Sequence, residues 1–161
     1  MGQDDPRKCT SAKLCRMRLA TPFNNINKIP KTTIVLNPYG EVFSPNDRIN
    51  LLHGIVAIDC SWKNVEQVFK RHFNGINRRL PVLLAGNPIN YAKPNMLSSA
   101  EALAAALYIA GYIKHAQKIV SIAKWGPTFL ALNHDPLEEY RFADTPEKIR
   151  EIEDEYFRII R

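Results

Sequence analysis

The chain predicts an α/β fold: a small, mostly parallel sheet with flanking helices, followed by an all-α C-terminal part. Three observations carry this expectation. Thr32–Leu36 (TTIVL), Gly54–Asp59 (GIVAID) and Leu80–Ala85 (LPVLLA) are short runs that are apolar almost throughout, as strands covered on both faces are. Helical patterns separate them, which argues for crossover connections and parallel pairing. After Pro94 no strand pattern returns. The expected organisation is therefore an α/β part over residues 1–94 and a helical part over residues 95–161.

Each element has a local reason. Thr10 serves as an N-cap for a helix reaching about Leu19. Thr32–Leu36 is β-branched and apolar, and Asn37-Pro38-Tyr39-Gly40 after it is turn chemistry. Ser44-Pro45-Asn46-Asp47 places a capping serine, a first-turn proline and a first-turn acid at a helix start. Gly54–Asp59 is the second strand. Val65–Phe73 reads as a helix with Val65, Val68 and Phe69 on one face. Leu80–Ala85 is the third strand. Ser98-Ser99-Ala100-Glu101 is a capping box that opens an alanine-rich helix to about Tyr108. A second helix follows Gly111, from Ile113 to Lys124. Thr145-Pro146-Glu147 opens the last one, whose apolar side carries Ile149, Ile152, Phe157 and Ile160.

Between the third strand and the alanine-rich helix lies Gly86–Asn95, a loop with two prolines and three asparagines. Open α/β sheets place ligands at such loops, at the carboxyl ends of their strands. A helix of small side chains behind it allows close backbone approach. The stretch reads as a ligand cradle.

Composition narrows the classes. A chain of 161 residues with 45% apolar content is long enough to bury a core as one domain. Cys9, Cys15 and Cys60 are odd in number and without metal spacing, which suggests reduced thiols and a cytoplasmic setting. No signal peptide or membrane-spanning run is visible, so no membrane is expected. The net charge is +6. Residues 1–100 hold 14 Lys or Arg against 6 Asp or Glu, whereas residues 101–161 hold 8 against 10. The excess lies in two clusters, Arg7, Lys8, Lys13, Arg16 and Arg18, then Lys70, Arg71, Arg78 and Arg79. This fits binding of a phosphate backbone; it also fits plain solubility.

Beyond the loop, Asp59-Cys60-Ser61-Trp62 sets an acid, a thiol, a hydroxyl and an indole just past a buried strand. Asp59 suits a ribose or general-base position, or equally a turn. Trp62 suits a site or a core, and when buried its indole N–H needs a partner. Cys60 has no histidine fixed beside it to activate it. His53, His72, His115 and His134 share no ligand spacing, so no metal is expected. There is no GxGxxG and no GxxxxGK[ST].

Four blocks in order carry a resemblance: Asp5-Pro6-Arg7-Lys8-Cys9-Thr10; Ile58-Asp59-Cys60-Ser61-Trp62; Leu80-Pro81 through Asn87-Pro88-Ile89-Asn90-Tyr91-Ala92-Lys93-Pro94; and Leu97-Ser98-Ser99-Ala100-Glu101-Ala102. Lys124-Trp125-Gly126, Phe129 and Leu132-Asn133 also agree. In these blocks the chain resembles the S-adenosylmethionine-dependent aminocarboxypropyltransferases of small-subunit ribosomal RNA, a ribosome-biogenesis family. The resemblance spans about residues 4–140.

The resemblance implies a SPOUT-like, trefoil-knotted fold and a monomer. It implies transfer of the 3-amino-3-carboxypropyl group of S-adenosylmethionine to a (N1-methyl)pseudouridine of small-subunit rRNA in the pre-ribosomal particle, with 5′-methylthioadenosine released. By position in the blocks, Thr10 and Trp62 would hold the amino-acid end of the cofactor. Ile58, Leu80, Asn95 and Ser99 would line its ribose and adenine pocket, largely through backbone groups. For such a reaction Asp59, next to the cofactor block, is the acid placed to act as catalytic general base on the acceptor imide. Arg7, Lys8, Lys13, Arg16, Lys70, Arg71, Arg78 and Arg79 would hold the RNA. There are two departures. Family members carry a short apolar strand before the Asp5 block, where this chain has Met1-Gly2-Gln3. Asn95 stands where the family often has an aromatic, which predicts weaker stacking on adenine.

Overall fold

The computed structural model describes residues 9–158; Arg7, Lys8 and Ile160 lie outside them. Three strands, β1 (Ile34–Val42), β2 (Ile55–Ala57) and β3 (Ile76–Arg79), form a parallel sheet in the order β2-β1-β3. Ile34 pairs with Ile55 and Ile76, and Leu36 with Ala57 and Arg78. The parallel sheet expected from the apolar runs is present, with one strand misplaced.

That strand is the third. Leu80–Ala85 lies outside the sheet, and the preceding Ile76–Arg79 takes the place beside β1. The apolar run was a poor guide because Arg78 and Arg79 hide a strand. Their side chains are satisfied by carboxylates: Arg78 by Asp47 (2.9 Å) and Glu41 (3.1 Å), Arg79 by Glu153 (2.8 Å). The turn expected at Asn37–Gly40 sits inside β1. Leu36 and Glu41 both pair with Arg78, so the intervening residues loop out of the ladder. The Asn37 side chain accepts the Tyr39 N–H at 3.0 Å, closing the turn.

The described residues also form seven α-helices: α1 (Thr10–Arg16), α2 (Val65–Phe69), α3 (Ser99–Ile109), α4 (Ile113–Val120), α5 (Gly126–Leu132), α6 (His134–Phe142) and α7 (Pro146–Phe157). The helix expected after Ser44 is a 3₁₀ helix, Pro45–His53, with the Asp47 carboxylate accepting the Ser44 N–H. The helix expected over Val65–Phe73 stops at Phe69, and that expected to Lys124 ends at Val120.

Strand alternation divides the core in two. Ile34 and Leu36 of β1 face the main cluster, which is built on α3 with Ala100, Ala104, Ala105 and Ala106 buried. Val35 faces a smaller cluster with Ile29 and Phe73, against which Val56 and Ile58 pack. The main cluster joins Leu14 and Leu83 to Leu137, Ile149 and Ile152, so the N- and C-terminal parts share one core. α3 touches α1, α4, α6 and β2; its alanines permit that crowding.

Candidate active site

The Val82–Ala85 segment runs extended, and its backbone alternates between two kinds of partner. Toward the helices the partners are side chains. Val82 donates to the Glu153 carboxylate (3.0 Å) and accepts from the Tyr140 hydroxyl (3.0 Å). Leu84 donates to and accepts from the Asn133 side-chain amide, both at 2.8 Å. Toward the other side the partners are the returning loop. Asn95 N–H donates to Leu83 C=O (2.8 Å), Ala85 N–H to Lys93 C=O (3.0 Å) and Ala92 N–H to Ala85 C=O (2.7 Å). Three side chains thus take the place of a neighbouring strand for Val82 and Leu84.

Glu101 sets the loop. Its carboxylate is fully buried at the first turn of α3 and accepts the N–H groups of Gly86 (2.7 Å), Asn87 (3.0 Å) and Ser98 (2.6 Å), and the Asn87 side-chain amide (2.9 Å). Asn87 also donates to Met96 C=O at 3.2 Å, tying the two ends of the loop. Ala92 and Asn95 adopt positive φ (58° and 59°), which the closed hairpin imposes. At Gly86 a Cβ would lie 2.7 Å from the Phe129 backbone, so α5 packs directly on the start of the loop.

Beside the loop, α1 and the β2 exit converge on α3. Asp59 is exposed, and its Oδ2 accepts from the Ser11 hydroxyl (2.6 Å) and the Cys9 thiol (3.4 Å). Its Oδ1 accepts nothing among the described residues. Thr10 Oγ1 accepts the Ala100 N–H at 3.4 Å, joining the starts of α1 and α3. Trp62 is half-buried and donates its indole N–H to Leu97 C=O at 3.2 Å. Burial first, then the Asp59 carboxylate, pushes the Cys60 thiol up, which opposes a nucleophilic thiolate there.

These bonds gather the residues the sequence singled out. Ser11 links Asp59 to Thr10, Thr10 reaches the residue after Ser99, and Trp62 reaches the residue two before it. Asn95 is exposed on the loop rim. Ile58 turns its side chain to the smaller cluster, so it faces the site through backbone alone. Leu80 is half-buried against the main core at the start of the extended segment. The indole N–H of Trp62, expected at the amino-acid end of the cofactor, is bonded to the Leu97 carbonyl. Arg78 and Arg79 are held by carboxylates inside the fold, whereas Lys13, Arg16, Lys70 and Arg71 make no ion pair among the described residues. Glu101 was legible as a helix cap and, like Asn133, as a position of the resemblance, but neither as an anchor of this segment; Glu153 carried no signal.

Among the described residues no three His, Cys, Asp or Glu side chains converge as a metal site, and no helix is long and apolar enough to cross a membrane.

A polar loop clamped over a helix start, with a carboxylate at the exit of a parallel strand, defines an α/β ligand-binding protein. The chain belongs to the family described as "Ribosome biogenesis protein, C-terminal", which matches residues 34–157. It is 46% identical over 158 residues to a protein of Methanosarcina mazei named 16S rRNA aminocarboxypropyltransferase, covering 96% of this chain and 90% of that one. It is 44% identical to the protein of that name from Methanocaldococcus jannaschii, covering 97% and 92%. Among solved structures, the SAM-dependent rRNA:acp-transferase Tsr3 from Vulcanisaeta distributa superposes with a TM-score of 0.85 at 36% identity, covering 95% of this chain and 92% of that one.

Proposed function

We propose that this chain is an S-adenosylmethionine-dependent rRNA aminocarboxypropyltransferase. It moves the 3-amino-3-carboxypropyl group to a (N1-methyl)pseudouridine of small-subunit rRNA and releases 5′-methylthioadenosine. The observation that carries this reading is 46% identity along 96% of the chain to a protein named for that activity.

The residues present fit the cofactor. The Ser99 N–H, at the first turn of α3, has no partner among the described residues, and a helix start favours a carboxylate there. The loop rim offers backbone groups at Asn95, and Ile58 offers backbone only. When bound, S-adenosylmethionine supplies a sulfonium whose three carbons are all open to attack. Which carbon meets the RNA is then a matter of orientation, and positioning of this kind lowers a barrier by roughly 7–11 kcal/mol. The loop fixed by Glu101 and Trp62, with Thr10 and Ser99 at the helix starts, does that positioning.

The acceptor is a ring imide nitrogen, which loses a proton as the new C–N bond forms and the C–S bond breaks, the electron pair staying on sulfur. Asp59 takes that proton. Ser11 and Cys9 anchor Oδ2, which leaves Oδ1 facing outward as the receiving atom. A positioned base contributes roughly 10²–10⁴-fold.

Arg7, Lys8, Lys13, Arg16, Lys70 and Arg71 hold the RNA backbone, while Arg78 and Arg79 brace β3. The reading includes a monomer acting without a metal on the pre-ribosomal particle in the cytoplasm. It also includes the SPOUT-like, trefoil-knotted fold that the resemblance implies. Incubation with small-subunit rRNA and S-adenosylmethionine labelled in the carboxyl group tests the reading. Carboxyl label should enter RNA, with methylthioadenosine as product. Transfer of methyl label alone, with S-adenosylhomocysteine, would make the chain a methyltransferase instead.

A further inference from the structure

Residues 102–134 contain no Asp or Glu, yet carry Lys114, Lys118 and Lys124. Residues 135–158 reverse this, with nine acids against four Lys or Arg. The helical part is therefore polar in charge, although its total is close to neutral.

On α4 the charge is concentrated on one stripe. Ala116, Ile119 and Val120 are buried, and Lys114, Gln117, Lys118 and Ser121 are exposed at helical spacing, with exposed Lys124 just beyond. Lys114 and Lys118 are like charges one turn apart, an arrangement that opposes the helix. No acid on α4 relieves it. Within the fold, Arg78, Arg79, Arg141, Lys148 and Arg150 meet carboxylates. The three lysines of the stripe and its extension meet none among the described residues. No large hydrophobic side chain is exposed between Ile113 and Trp125, so the face lacks the apolar anchor that a protein partner uses. Lysines interleaved with an amide and a hydroxyl instead suit phosphate and sugar oxygens. The face is also connected to the site: α4 leads into α5, whose Phe129 backbone abuts Gly86 at the start of the loop.

We infer that the Lys114–Gln117–Lys118–Ser121 stripe, with Lys124, is a second phosphate-backbone contact for the rRNA, separate from the N-terminal basic clusters. The inference rests on the rRNA-modifying reading above.

The test uses the full chain and a small-subunit rRNA transcript, with affinity measured across a salt series. The variant K114Q/K118Q/K124Q should bind about ten- to a hundredfold more weakly at low salt. Its log–log salt slope should be shallower by about 2, because three phosphate contacts are lost. Its S-adenosylmethionine affinity should match wild type. K114R/K118R/K124R should retain RNA binding, and K148Q, which removes one charge from the acidic face, should leave it unchanged. An unchanged slope and affinity in the triple Gln variant overturns the inference, as does equal loss in K148Q. If the wild-type chain itself fails to bind rRNA, the functional reading has failed first.

Discussion

Glu101 and Asn87 are joined twice: one carboxylate oxygen accepts the Asn87 backbone N–H at 3.0 Å and the other its side-chain amide at 2.9 Å. With Gly86 and Ser98 also donating, one buried anion organises a loop that begins before it and ends at its own helix cap. Hydrogen bonds to a charged group are the strong ones, about 1.5–3 kcal/mol each. The charge is matched by fixed N–H dipoles at the start of α3 and needs no cationic partner.

Glu101→Gln keeps the volume but turns an NH₂ toward N–H donors. Unfolding free energy should fall by at least about 1.5–3 kcal/mol, the scale of one such bond. The KM for S-adenosylmethionine should rise at temperatures where the variant is fully folded. Wild-type KM in a merely less stable variant would confine Glu101 to the fold.

Asp59→Asn preserves shape and removes the proton acceptor. Cofactor affinity should stay near wild type while the transfer rate falls by up to roughly 10²–10⁴-fold. The deficit should narrow as pH rises, because the imide then ionises unaided. Lost affinity at unchanged turnover would make Asp59 a pocket residue.

Trp62→Phe retains an aromatic ring and deletes the indole N–H, stranding the Leu97 carbonyl. Chemical denaturation should register a loss of about 1–3 kcal/mol, with weaker S-adenosylmethionine binding as the loop end loosens. Calorimetry showing no change in either quantity would mean the bond contributes nothing.

How far the sequence foretold this site differs by residue. Asp59 and Trp62 stood out just past a strand, Thr10 and Ser99 entered as site candidates through the resemblance, and the structure places those two at the starts of α1 and α3. Leu80–Ala85 misled, because an apolar extended run looks the same whether its backbone pairs with a strand or with Asn133, Tyr140 and Glu153 from distant helices. Arg78 and Arg79 misled oppositely: a basic pair looks solvent-facing until Asp47 and Glu153 arrive to neutralise it. Glu101 was visible as a cap, but its grip on Gly86 depends on a loop closure that spacing does not encode.

Gly86→Ala would put a methyl 2.7 Å from the Phe129 backbone. Neither side can yield by rotating a side chain, so about 1–3 kcal/mol of stability should be lost, as for overpacking generally. A thermal melt at the wild-type midpoint would indicate that α5 moves aside freely.

Glu138 gives a pH signature. The Arg141 guanidinium, then the Tyr108 hydroxyl, holds its carboxyl below the usual carboxylate range. A depressed folded-state value contributes stability that is whole above the unfolded value, about 4.3, and fades as pH falls through the folded one. In acid titrations followed by thermal unfolding, Glu138→Gln should therefore lose less stability below about pH 4 than wild type. Parallel curves would dismiss the linkage.

Val82 is bonded to side chains 58 and 71 positions further along the chain. This orders events during synthesis. The basic segment at residues 13–18 is made before the loop, and the loop before the helices that hold it. The footing under the loop is incomplete until α7 has emerged. Closures of such length are slow to form and late to reward. The loop therefore stands on contacts from α6 and α7, far along the chain, so a change at Tyr140 or Glu153 reaches the loop through Val82 without touching it.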